Sequence, residues 1–530
     1  MIVMKAIIQR KNFLFWASIV FAGIFSIWAV VSPTGMTGTL WNWLGLYNRT
    51  FSWFTMPMPV ILLLICLYLA FGKFGKIKLG GADDEPEMST FAWIGTLFTA
   101  GIGIGIVNFG VAEPLVHYLQ SPVGIAGGVS PAQAAENGMK YSMFIWGLPA
   151  WAIYTMAGLV IGYFAYYKGK KFLPGEPIAA GFSDKAWAPS VAVLANIVAA
   201  GAAALTIAAH IAIGIFQIQN AVHSVSGFDI SSATSSIALL IIMFFIYTFA
   251  AILPIQKGMA SLGKINTIVA VILMIYVFMI TNSTMIMRLV TENVRHAFLD
   301  VFPVAFTTIP FSDQTWFGSW PNTIMIWWFS WTPFLGIFIA RISKGRTIRQ
   351  IVTMSILVPT FFLIFWFSVF AGNGFWNTFF GDGKIIHFIA NNPENVYLSF
   401  IMVLKELPGF QVTGPIFLLL VVIFLATATT SGMISLSIIT SNGPENAPKT
   451  RVILWSVLTT MIAFSNIATG TLDGVKAVGV IIGIPFMLFV LLSISGMYRQ
   501  MTLDYNHNLL VAAEKNQQLI DREHGKKASS

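Results

Sequence analysis

Twelve separate runs of predominantly apolar residues, centred near Ala22, Leu63, Gly103, Thr155, Ala203, Ile242, Ile272, Phe329, Phe361, Val421, Leu458 and Phe486, leave this chain no room for a large soluble domain. A run of about 20 apolar residues spans the hydrocarbon core of a bilayer as a helix. In lipid such a segment must satisfy its own backbone hydrogen bonds. The runs therefore predict an all-α polytopic membrane protein with 12 transmembrane helices. Composition agrees, at 56% hydrophobic and 10% charged residues with a mean hydropathy of +0.77. The first run is too long, and too poorly followed by small residues, to be a removed signal peptide, so it is read as the first span.

Assigning the loops alternately to two sides divides the 30 Lys and Arg residues 23 to 7. The rich side holds both ends of the chain, from Lys5, Arg10 and Lys11 to Lys515, Arg522, Lys526 and Lys527. By the positive-inside rule both termini are cytoplasmic and the number of spans is even. The net charge of +9 is thereby explained by topology and by contact with anionic membrane lipid, and it calls for no nucleic-acid partner. Cys66 is the single cysteine, which excludes an intrachain disulfide or a cysteine-based metal site. The seven His include no i, i+4 pair, and only His210 lies within a span, where a neutral ring donating to a helix carbonyl is the simplest reading. No base, nucleophile and orienting group recur together, so the chain is not read as an enzyme. There is no phosphate-binding glycine loop either, so energy for transport would have to come from a gradient.

Three patterns inside the apolar runs carry chemistry. Aromatic residues cluster twice, as Trp146, Trp151 and Tyr154 and as Trp327, Trp328 and Trp331. Such clusters suit either interfacial packing or a quaternary ammonium, whose spread charge is attracted by π-faces. The third run contains Gly101-Ile102-Gly103-Ile104-Gly105, a spacing that does not match small-xxx-small packing and that points either to a helix unwound at mid-membrane or to a packing groove. The tenth contains Thr427-Ala428-Thr429-Thr430-Ser431. Uncharged oxygens of this kind suit a monovalent cation such as sodium, or else bond back to their own helix carbonyls. A channel is disfavoured because these polar groups cluster instead of running across the membrane.

In their order and spacing these motifs resemble the betaine/choline/carnitine transporter family. The resemblance runs from about Pro86 to Gln500 and includes Trp146-Gly-Leu-Pro-Ala-Trp151-Ala-Ile-Tyr154, Trp327-Trp328-Phe-Ser-Trp331-Thr-Pro-Phe334 and the basic run Ala340 to Arg349. It implies two inverted five-helix repeats plus two N-terminal helices outside that core, a homotrimer, and a cell inner membrane location. The corresponding division is a tail 1–12, two helices within 13–85, repeats 86–288 and 313–498 joined by an interfacial amphipathic helix within 289–312, and a tail 499–530. In the joining segment Val294, Phe298, Val301 and Phe302 recur opposite Arg295, His296 and Asp300.

The resemblance further implies a sodium-coupled symporter that imports a methylated ammonium solute by alternating access. Glycine betaine leads, with trimethylamine N-oxide, carnitine, dimethylsulfoniopropionate and ectoine as further candidates. The aromatic box would be Trp146, Trp151, Tyr154 and Trp328, with Trp327 and Trp331 along the path and Gly101, Gly103 and Gly105 offering backbone. An ideal helix places Trp328 and Trp331 about 60° apart, but Trp146 and Trp151 about 140° apart, so the turn around Pro149 must bend or loosen. Sodium would bind carbonyls of Thr99, Ile102 and Thr427 and hydroxyls of Thr430 and Ser431. A second sodium site keeps Tyr154 and Phe334, but Val198 and Ala202 stand where the family's betaine symporters carry threonines. Gly105 stands where choline carriers carry an aspartate, which argues against proton-coupled choline uptake. The mixed charge of the tail from Thr502 onward suggests a solvated helix and leaves nutrient uptake as open as osmoprotection. The alternatives are a sodium-independent substrate:product antiporter and, from another class, a methylammonium-gated channel or receptor.

Overall fold

The computed structural model describes residues 12–81, 83–308, 316, 320–469 and 472–528, with the backbone alone at 394, 469, 472–475 and 507–528. The tail before residue 12, most of 309–319 between the two halves, and the tail side chains beyond 506, with the charges assigned to them, lie outside the described residues. Among the described residues every regular element is helical. Eleven helices are long and apolar enough to cross a membrane: Phe13–Val31, Pro33–Phe71, Pro131–Tyr167, Ala188–Ser226, Ala233–Ile252, Met259–Ile280, Pro321–Ile342, Ile348–Phe380, Phe410–Thr440, Lys449–Ala468 and Lys476–Asn506. Thr90–Ile102 and the helix that starts at Gly105 add a twelfth, broken span, bent by 61°. In chain order these are spans 1 to 12, the broken one being span 3.

Packing between spans reveals the repeats. Span 3 lies against spans 7, 9 and 10, and span 8 against spans 12, 4 and 5. Span 5 packs on spans 10, 11 and 12, while span 10 packs on spans 5, 6 and 7. Exchanging spans 3–7 for spans 8–12, one for one, converts this set of pairs into itself, with the pair of spans 5 and 10 unchanged. Five crossings are an odd number, so equivalent spans run in opposite directions and the two repeats are inverted. Spans 1 and 2 stand outside, span 1 against span 5 and span 2 against spans 4 and 9.

Small side chains set how closely these helices approach. In span 5, Ala199, Ala200, Ala202, Ala203 and Ala204 are buried, and a Cβ on Gly201 would fall 2.2 Å from the Phe21 ring of span 1. Close helix packing through Ala and Gly is what drives association where lipid offers no hydrophobic contrast. The basic run after span 8 has a different task. Gly345, at φ +77°, lets the chain turn past Glu85, whose carbonyl carbon would lie 2.6 Å from a Cβ. This leads Arg346 over the Trp93 ring at 4.2 Å with a hydrogen bond to the Met88 carbonyl, and Arg349 to the Ala70 carbonyl at the end of span 2. The Arg349 guanidinium thus caps the end of span 2, while Arg346 pins the chain just before span 3.

The amphipathic joining segment is a helix from Ser283 to Phe298 followed by a short one from Val301 to Phe306. Its inward face agrees in part with the periodicity reading: Val301 is buried and Phe298 packs against the core, but Val294 and Phe302 point outward, and Ile286, Val290, Asn293, His296 and Ala297 complete the buried face. Asp300 accepts from His296 and Arg295 at the break between the two helices, and this draws His296 inward.

The short helix before span 5 packs on span 12 through glycines, and a Cβ on Gly181 would lie 2.4 Å from the Gly496 Cα. Overpacking at such a backbone contact costs about 1–3 kcal/mol. We expect Gly181→Ala to lower the thermal unfolding midpoint of the detergent-purified protein. Gly23→Ala, whose Cβ meets nothing within 4 Å, should leave that midpoint unchanged.

Candidate functional site

The break in span 3 is built by Gly103, at φ +53° and ψ −144°, a conformation that L-residues with side chains rarely adopt. Each glycine of the repeat faces a ring. A Cβ on Gly101 would lie 3.0 Å from Trp151 and 3.6 Å from Tyr154, one on Gly103 would lie 3.2 Å from His210, and one on Gly105 would lie 3.0 Å from Trp146. Side chains at these positions would push the rings out of place.

Span 4 is itself interrupted. Its first helix ends at Trp146, Gly147 is non-helical at ψ −141°, and the second helix starts at Leu148. The interruption falls two residues before Pro149, which sits in the first turn of the new helix, where its missing N–H costs nothing. This turns Trp146 and Trp151 toward the same glycine strip. Trp328 of span 8 closes the group, edge-on to Trp146 with centroids 5.3 Å apart and tilted against Tyr154 at 5.0 Å. Trp151 meets Tyr154 edge-on at 6.2 Å. All four side chains are buried, and the indole N–H groups of Trp146, Trp151 and Trp328 have no acceptor. The rings touch one another, so a methylammonium enters only as they part.

Trp331 and Trp327 form a second group on the neighbouring face of span 8. Trp331 packs edge-on against His210 at 5.4 Å and against Phe334 at 5.2 Å, and Trp327 packs on Trp331 and on Phe109. Phe109 also reaches Trp146, so it links the two groups. Pro333 has no N–H for the Phe329 carbonyl, and the Thr332 hydroxyl supplies the donor at 2.6 Å. His210 corrects the sequence reading, because it makes no hydrogen bond to a helix carbonyl and its Nε2 is buried without a partner.

Span 10 approaches the same break, with the Ala428 Cβ 3.0 Å from where a Gly103 Cβ would lie. Thr430 donates to the Tyr247 carbonyl of span 6 and Ser431 to the Ala428 carbonyl one turn back. A donating hydroxyl keeps its oxygen lone pairs for a cation. Thr99 and Thr427 use their hydroxyls on their own helix, and the Thr99 carbonyl also accepts from the Gly103 N–H at 3.3 Å. Ile102, the last residue before the break, is buried. Of the positions named for a second sodium, Tyr154 lies in the first ring group and Phe334 in the second.

The sequence reading missed a polar cluster beyond the rings. Glu113 and His117, both fully buried, are joined at 2.9 Å, and the Trp320 indole at the start of span 8 donates to the same carboxylate oxygen at 2.7 Å. The i, i+4 acid–histidine spacing was the available signal. At the opposite end of span 8, Arg341 bridges Glu87 at 3.0 Å and Asn446 at 2.9 Å. Among the described residues one further group, Glu136, Glu292 and His296, has ligand atoms close enough for a metal ion, but the Arg295 guanidinium pairs with both of its carboxylates.

Comparison with known proteins agrees with this architecture. Residues 13–506 match the profile described as BCCT, betaine/carnitine/choline family transporter. A probable glycine betaine transporter of Desulfitobacterium hafniense is 29% identical, with 94% of this chain and 99% of that protein covered. The glycine betaine transporter OpuD of Bacillus subtilis is 28% identical over 93% of this chain and 95% of its own length. An ectoine/hydroxyectoine transporter of Virgibacillus pantothenticus is 29% identical over 85% of this chain and 89% of its own. These relatives are transporters, not enzymes. With a profile match that spans nearly the whole chain, broken and continuous spans alike, this multi-pass membrane protein belongs to the betaine/carnitine/choline transporter family.

Proposed function

We propose that the protein is a sodium-coupled symporter that carries a methylated ammonium solute, glycine betaine first, inward by alternating access across the inner membrane, with both termini cytoplasmic. The observation that carries this reading is the group of Trp146, Trp151, Tyr154 and Trp328 packed against the glycine strip of a broken span. Its π-faces are dry, and it contains no carboxylate to compete with them. A desolvated cation–π contact contributes about 2 kcal/mol. Relatives named for glycine betaine, choline and ectoine support a small quaternary-ammonium or related solute. Gly105 argues against the aspartate-dependent choline chemistry of related carriers, since a side chain there would meet Trp146 within 3.0 Å.

Span 10 supports sodium as the co-substrate. The Thr430 and Ser431 hydroxyls keep free lone pairs, uncharged oxygens suit a monovalent cation, and no Lys or Arg lies in Thr427–Ser431 to replace it. Coupling then requires that solute and sodium each favour the occluded state over the open ones.

Four outcomes are expected. Labelled glycine betaine accumulates in proteoliposomes of the purified protein only under an inward sodium gradient, and exchange driven by internal methylammonium without sodium would make it an antiporter. Trp328→Leu or Trp151→Leu weakens solute binding about 30-fold or more, the equivalent of one lost ring contact, as read by titration calorimetry. The double substitution of Thr430 and Ser431 by Ala raises the sodium concentration for half-maximal uptake, and an unchanged sodium dependence would remove the ion from this place. An impermeant maleimide labels Ser231→Cys in intact cells but Ser183→Cys only after permeabilisation, while buried Cys66 stays silent.

A further inference from the structure

His210 sits mid-way along span 5 with 6% of its surface exposed, no hydrogen bond, and an Nε2 atom sealed from solvent without a partner. An unpaired polar nitrogen inside a membrane protein is costly and marks function unless something meets it. The hydroxyls of Thr427, Thr430 and Ser431 on the facing span are all engaged with carbonyls. What lies in front of the ring is the bare Cα of Gly103, whose absent Cβ would be 3.2 Å from Cε1 and 3.5 Å from Nε2. Trp331 holds the imidazole from the side, at an interplanar angle of 82°. The ring is thus aimed at the break of span 3, where the helix starting at Gly105 presents its free N–H groups. Along the strip, Trp151 covers Gly101, Trp146 covers Gly105, and between them the only nitrogen-bearing ring to reach the strip from span 5 covers Gly103.

We propose that His210 is a specificity-determining residue: Nε2–H donates to the oxyanion of the solute, a carboxylate or N-oxide oxygen, while the indole and phenol faces hold its methylated nitrogen. This inference rests on the methylammonium reading above and extends it to the other end of the molecule. A hydrogen bond to a charged acceptor is worth more than one to a neutral hydroxyl, so the arrangement ranks zwitterions above hydroxylated cations. The helix N-terminus adds its positive end to the same oxygen.

The test measures binding of glycine betaine, trimethylamine N-oxide and tetramethylammonium to the purified full-length protein by titration calorimetry. Tetramethylammonium has the cation but no oxygen. His210→Ala is expected to weaken the two oxygen-bearing solutes by about tenfold or more. Tetramethylammonium should stay within about twofold, because its ring contacts are untouched. His210→Gln, which retains a donor, should recover part of the loss. His210→Phe keeps the packing against Trp331 without the nitrogen, and it should reproduce the Ala selectivity even if the Ala variant does not fold. Equal loss for all three probes, or no loss for the oxygen-bearing pair, overturns the assignment of His210 and leaves the aromatic site standing. A wild-type protein that binds none of the three overturns both.

Discussion

A backbone amide in lipid has no water to turn to, and this one constraint decides where the helices of this protein are allowed to break. Span 3 breaks at Gly103, span 4 at Gly147, and span 8 loses a hydrogen bond at Pro333. All three irregularities fall in the buried centre where these spans meet, so no freed carbonyl or N–H faces the bilayer. Where a protein donor is at hand it is used, as when Thr332 serves the carbonyl that Pro333 cannot. Where none is at hand, at the start of the helix from Gly105, no side chain caps the first N–H groups.

The same glycines that permit the break make room for the rings. Residues 101, 103 and 105 have no side chains because Trp151, His210 and Trp146 occupy that space. Conformation and packing therefore constrain the same positions twice, once through φ and once through volume. The rings in turn are held by helix architecture: the interruption at Gly147 lets Trp146 and Trp151, which a continuous helix would splay apart, address one strip.

One end of span 8 is tied to span 3 and the other to the segment just before it. Trp320 is bonded to Glu113 at one end and Arg341 to Glu87 at the other, with the ring groups between. The two ties belong to spans that are equivalent by the inverted repeat.

Much of this was legible in the residues. Hydrophobic run length is a local property, so twelve spans, an even count, could be read directly. The glycine repeat, the paired tryptophans and the hydroxyl cluster are local too, and they stand out because lipid makes such residues conspicuous. Which ring faces which glycine was not legible. It depends on the non-helical angle at Gly147 and on how spans 4, 5, 8 and 10 converge on the break. Periodicity placed Val294 and Phe302 on the inward face of the amphipathic segment, but they are exposed, and His296 is buried there instead, paired with Asp300 one turn on. His210 and Glu113 illustrate the limit most clearly. A sequence records that an ionisable residue lies in a span and, as with Glu113 and His117, can show a partner one turn away, but only the folded chain determines whether a group such as the Trp320 indole reaches it from a helix far away along the chain. Sequence alone therefore determined the membrane class, the spans and the chemical vocabulary of the site; the tertiary structure decided which of those groups meet, since contact between helices depends on breaks and side-chain volumes that no single segment contains.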